Sequence, residues 1–177
     1  MFEKLLNNEY SYNYNMNRFL INAISSSRIV LGLLFLYVVL FNFNEVYLIL
    51  IFLLTAISDV GDGWLSRKYC LSTDAGAKFD VICDFIFIML STLAMVFHGM
   101  IPPWFLAVII LKLIEFFKTS DESLEYEKFG HFVALMFYAF PLVSVLINDK
   151  SISLILAILI TVCAMISFFT RIHKKFY

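Results

Sequence analysis

Four aspartates lie at the edge of or inside two long apolar stretches, Asp59 and Asp62 in one and Asp80 and Asp84 in the next. A charged side chain at the centre of a bilayer helix costs about 2.5 to 3.5 kcal/mol, so these residues need a partner or a place near the interface. The spacings of three (Asp59, Asp62) and four (Asp80, Asp84) put each pair on one helix face. Four carboxylates on neighbouring helices repel one another unless cations lie between them, and such hard oxygen donors suit Mg2+ or Mn2+. For any one aspartate alone, helix capping, pairing with a basic side chain or lining an ion path explains its presence equally well. The combination of two pairs points to metal-assisted chemistry.

Small residues accompany the acids. Gly76 precedes Asp80 by one turn, and Gly63 and Ser66 lie close to the face of Asp62, leaving room for a bulky ligand to approach the backbone. Arg67, one turn beyond Gly63, has the forked donors that grip a phosphate. Asp74 stands apart from this pattern and is expected to be the N-cap of the third apolar helix. Cys83 sits between two of the acids at a different angle and is expected to pack, and Cys70, Cys83 and Cys163 lack the close spacing of a zinc site.

Two cations interrupt other apolar runs. Arg28 requires an anion, supplied either by a phosphorylated substrate or by an ion pair with Glu115 or one of the four aspartates. Lys112 would join Arg28 in a phosphate pocket, or else snorkel or pair with Glu115 three residues on, which is the slightly favoured reading. Lys128 and His131 are weaker candidates for the same region.

The elements that must position these groups are membrane helices. The chain is 62% hydrophobic and 18% aromatic with only 15% charged residues, against roughly 45 to 50% apolar residues in an ordinary soluble domain. Its apolar runs approach the roughly 20 residues that span a bilayer. Six spans are predicted, at 19–41, 46–68, 76–97, 102–117, 132–147 and 152–169, in an all-α integral membrane fold. Short connectors make neighbouring spans antiparallel. Residues 1–18 form an N-terminal segment, read as a short interfacial helix or an irregular leader, with no cleavage site of a signal peptide. Residues 19–170 form one six-helix domain and 171–177 a basic tail. Lys4, Arg18, Arg67, Lys68, Lys118, Lys128, Arg171, Lys174 and Lys175 all fall on one side of this layout and Lys150 on the other, which puts both termini in the cytoplasm. The expected location is the cell membrane, and no nucleic-acid partner is expected.

Residues 59 to 84 read DVGDGWLSRKYCLSTDAGAKFDVICD. This string resembles the signature of CDP-alcohol phosphotransferases, D-x2-D-G-x2-A-R-x8-G-x3-D-x3-D, at every spacing. Asp59, Asp62, Gly63, Arg67, Gly76, Asp80 and Asp84 match, and Ser66 replaces the usual Ala. The resemblance implies a two-metal site of Mg2+ or Mn2+ on Asp59, Asp62, Asp80 and Asp84. Gly63, Ser66, Arg67 and Gly76 would seat the nucleotide and pyrophosphate of a CDP-activated lipid. It further implies that Asp84 is the general base toward the acceptor alcohol, that CMP is released, that the active site faces the cytoplasm, and that the chain is a homodimer.

The stretch Asn22 to Arg28, NAISSSR, resembles the N-x-x-T-x-x-R opening of phosphatidylglycerolphosphate synthases, with Ser25 for Thr. With Arg28 and Lys112 as possible contacts for an acceptor phosphate, glycerol 3-phosphate is the expected acceptor. Inositol phosphate satisfies the same physics, and inositol and serine are the other acceptors considered. Ester-linked and ether-linked lipid tails leave no mark to choose between. A divalent-cation transporter would also place aspartates along a wet cavity, but it has no need of Gly63, Arg67 and Gly76.

Overall fold

The computed structural model describes residues 2–41, 43–69, 73–119 and 128–176, with side chains over 19–41, 43–69, 73–118 and 130–170. Its helices are α1 (Phe2–Phe41), α2 (Glu45–Lys68), α3 (Asp74–Phe97), α4 (Trp104–Thr119), α5 (Lys128–Ile147) and α6 (Lys150–Phe176), with no strand among the described residues. The protein is an all-α integral membrane protein.

Among the described residues, five helices are long and apolar enough to cross a membrane. The exception is α4, whose 16 residues rise only about 24 Å at 1.5 Å per residue, short of a hydrocarbon core about 30 Å thick. Pro102 and Pro103, at the expected boundary between the α3–α4 turn and the fourth span, lie in the turn before the helix. Proline lacks the N–H that a helix interior needs, so the helix starts after the pair. Met100 and Ile101 of that turn are buried against the bundle. The helix that contains the first predicted span also includes most of the N-terminal segment, running from Phe2 to Phe41.

Local chemistry sets the helix ends. Asn44 caps α2 by accepting from the Val46 N–H at 3.0 Å. Asp149 accepts from the Ser151 and Ile152 N–H groups at 2.8 and 3.0 Å at the start of α6. Asn148 before it adopts φ 49°, a left-handed conformation that Asn tolerates better than most residues. The α3–α4 turn uses Gly99 at φ 81°, where a side chain would be strained. Thr73, rather than Asp74, is the N-cap of α3, accepting from the Gly76 N–H at 3.1 Å. Asp74 occupies the first turn, where its charge still meets the positive end of the helix dipole.

The helix α1 packs on α3 and α2, α5 packs on α6, α3 and α2, and α4 packs on α6 and α3. Gly32 lets α1 and α3 meet closely. A Cβ there would stand 3.0 Å from Leu90 Cδ1 and 3.4 Å from the Phe87 backbone. Phe35, Leu48, Phe87, Phe105, Phe137 and Ala157 lie in one continuous core. Leu33, Leu53, Leu54, Ile110, Leu135 and Ile155 point outward, as suits a bundle solvated by lipid chains.

Candidate active site

The site grows from three helix faces that meet near the α2–α3 connection. On α1, Ser25 and Arg28 are buried on the stripe that continues through Phe35. On α2, Leu48, Ile51, Thr55 and Asp62 follow the spacing of one buried face. On α3, Asp80 and Asp84 sit one turn apart above Phe87 and Ser91. Asp62 lies six residues before the end of α2 and Asp80 six after the start of α3, which sinks the carboxylates about 9 Å from the helix ends.

Arg28 is the centre of this arrangement. Its side chain is fully buried and meets all four aspartates: Asp59 at 3.3 Å, Asp80 at 2.7 Å, and Asp62 and Asp84 in direct hydrogen-bonded ion pairs. Its Nε also donates to Ser58 Oγ at 3.4 Å. Ser25 donates to Asp62 Oδ2 at 2.7 Å. Of the explanations the sequence left open for Arg28, an ion pair with the motif aspartates is the one observed. The stretch Asn22 to Arg28 thus contributes Ser25 and Arg28 to the cluster, while Asn22 is exposed.

Four carboxylates and one guanidinium carry a formal charge of −4 + 1 = −3, an excess that favours further cations. Oxygen atoms of Asp59, Asp62 and Asp80 all lie within 4.8 Å of one another. An all-carboxylate, all-oxygen donor set at that separation fits a hard divalent ion. Asp84 stands outside this trio but shares Arg28 with it. Exposure is graded: the Asp59 side chain is 51% accessible, Asp80 35% and Asp84 29%, against 4% for Asp62. The cluster therefore opens on the Asp59 side and is anchored on Asp62.

The small residues frame the approach. The Arg67 guanidinium lies over Gly63, where a Cβ would be 3.7 Å from its Nη1. Ser66 is half-buried on the same turn. Gly76 has a local role, since a Cβ there would press to 3.1 Å on the capping hydroxyl of Thr73. Cys83 is buried and Cys163 half-buried, both as free thiols, and Cys70 lies outside the described residues. Lys112 ion-pairs with Glu115 at 2.7 Å and donates to Ser167 Oγ of α6 at 2.9 Å, the pairing favoured from the sequence. His131 is exposed at the start of α5, and the side chain of Lys128 lies outside the described residues.

Ser58 and Tyr138 were missed by sequence reasoning. Ser58 adjoins Asp59, so its neighbourhood was the available signal. Tyr138 offered only a phenol in an apolar helix, and its relation to the acids depends on how α5 packs.

The fold and the site together define a helical membrane protein with an acid cluster, tied by one arginine, sunk into one end of the bundle. The chain belongs to the CDP-alcohol phosphatidyltransferase family, whose model matches residues 18–169. Membership makes it a transferase of phospholipid biosynthesis that passes a phosphate-linked group between a CDP-alcohol and an alcohol acceptor, in a family that uses divalent metals. No curated protein and no solved structure matches the chain significantly.

Proposed function

We propose that the protein transfers a phosphatidyl group from CDP-diacylglycerol, or its ether-lipid counterpart, to glycerol 3-phosphate with release of CMP. The observation that carries this reading is the group of four aspartates around Arg28 at the end of the bundle that also holds Arg67. Asp59, Asp62 and Asp80, joined by Asp84, would hold Mg2+ or Mn2+. Such ions supply charge neutralisation on pyrophosphate oxygens and stabilise CMP as leaving group.

The chain's own residues do the rest. Arg67, lying across Gly63 at the cluster's rim, grips the nucleotide end of the donor, while Gly63, Ser66 and Gly76 keep bulk away from it. Asp84 accepts the proton of the acceptor hydroxyl as that oxygen attacks the lipid-side phosphorus. The phosphorus–oxygen bond to CMP breaks in the same displacement. Ser25 and Arg28 hold Asp62 and Asp84 in place, so that the base and the metal-binding carboxylates share one frame. With divalent ions offsetting the negative charge of the acids, the guanidinium beside the base would favour an anionic acceptor, which supports glycerol 3-phosphate or inositol phosphate over inositol. Serine brings a carboxylate to the same cation and ranks after them. Lys112, engaged with Glu115, is the more remote candidate for the acceptor phosphate.

The proposed setting is a homodimer in the cell membrane with the acid cluster facing the cytoplasm. The Lys/Arg bias supports this orientation, as does Lys68 at the α2 end, whose ammonium lies 4.5 Å from the centre of the Trp64 ring in the manner of an interfacial anchor. The deciding experiment supplies the purified protein with CDP-diacylglycerol and labelled glycerol 3-phosphate, inositol phosphate, inositol or serine, with Mg2+, Mn2+ or chelator. Metal-dependent CMP release coupled to labelled lipid is expected, fastest with glycerol 3-phosphate. Divalent-cation flux in liposomes without CMP release would instead establish a transporter.

A further inference from the structure

Tyr138 of α5 packs against α2 and α3, the two helices that carry the aspartates. Its ring packs edge-on against Phe52 of α2 at 4.9 Å and in a tilted contact against Phe87 of α3 at 5.6 Å. Phe87 follows Asp84 by three residues on the same helix face. The Tyr138 hydroxyl is buried and has no hydrogen-bond partner among the described residues, yet it lies close enough to Asp84, Asp59 and Arg28 for their charges to act on it. Buried hydroxyls are nearly always satisfied, so an orphan donor beside a functional carboxylate calls for a chemical explanation. The helix α5 carries no residue of the aspartate signature and has no other assigned part in the site.

We propose that the Tyr138 hydroxyl binds the acceptor alcohol, donating a hydrogen bond to its reacting oxygen beside Asp84. An alcohol oxygen is the group that suits both neighbours at once. It accepts from the phenol through a lone pair and gives its own proton to the carboxylate. Tyr138 keeps its proton throughout. The bonds that change remain those of the displacement, with the acceptor oxygen joining phosphorus, the bond to CMP breaking and one proton passing to Asp84. This inference rests on the transferase reading above and adds to it a third wall of the acceptor pocket, supplied by α5.

The test compares wild type with Tyr138→Phe, which keeps the ring contacts and deletes only the hydroxyl. Steady-state rates are measured with glycerol 3-phosphate, inositol phosphate, inositol and serine at saturating CDP-diacylglycerol, then with the donor varied. The acceptor KM is expected to rise about three- to tenfold, the loss of one neutral hydrogen bond. The donor KM and the metal concentration for half-maximal rate should stay at their wild-type values. Thermal unfolding in detergent should be undiminished, because the variant no longer buries an unpaired hydroxyl. An unchanged acceptor KM, or a rise confined to the donor KM, overturns the assignment while leaving the transferase reading intact. A wild-type protein that releases no CMP with any acceptor overturns both.

Discussion

Asp84 differs from the other three acids in position, because the mutually close oxygens belong to Asp59, Asp62 and Asp80. Asp84→Asn should therefore retain metal and CDP-lipid binding better than turnover, with kcat falling about 10²- to 10⁴-fold, the usual range for a general base. Asp59→Asn and Asp62→Asn should lose metal binding first, seen as a raised metal requirement in the same assay. Wild-type turnover by Asp84→Asn would remove it from the role of base. Arg28 belongs to the same scale. Its removal leaves buried Asp62 without its cation, and breaking a buried pair costs about 3 to 5 kcal/mol. Arg28→Ala should unfold at lower temperature in chelator, and added Mn2+ should raise its unfolding temperature more than that of wild type. Restoration by Asp62→Asn in the Arg28→Ala background would show that uncompensated charge, rather than lost packing, is the cause. If Arg28 also meets the acceptor anion, the same variant raises the acceptor KM more than the donor KM. The aspartates were legible from spacing alone, because helical periodicity forces i, i+3 and i, i+4 residues onto one face. Their partner was legible only as one of several alternatives for Arg28, since Arg28 is separated from Asp84 by 56 positions.

At the scale of elements, the pairing of α1 with α3 carries the site. Gly32 lies one turn from Arg28 on the packed face, and its missing side chain sets how near Arg28 comes to Asp80 and Asp84. Gly32→Val should force Leu90 aside and push against the Phe87 backbone, destabilising the protein by about 1 to 3 kcal/mol. The measurement is thermal unfolding in detergent alongside the rate of CMP release, and both should fall. Unaltered stability and rate would mean that the two helices tolerate a wider separation. Helix positions followed from apolar runs bounded by Asn, Gly and Pro, whereas helix lengths did not follow uniformly. The proline pair moved the start of α4 to Trp104 without changing its length, and the apolar criterion that located the first span was blind to the polar residues through which α1 continues toward Phe2.

For the whole molecule, the charge bias along the chain makes a topological prediction: single cysteines at positions 4 and 175 should react with a membrane-impermeant reagent from the same, cytoplasmic side of intact cells. Labelling from opposite sides would rule out an even number of crossings, which directs attention to the short α4. By itself the sequence determined the membrane environment, the helical class and the spacing of the four acids. Those properties depend on hydrophobicity summed over each segment and on spacing within one helix, both of which are local. Tertiary structure decided what the acids touch. Which face of α1 meets α3, how Arg28 comes to serve four carboxylates, and how Tyr138 of α5 comes against Phe52 and Phe87 all depend on side-chain packing between segments far apart in the chain. No local period encodes those contacts, because each arises only when two faces fit one another.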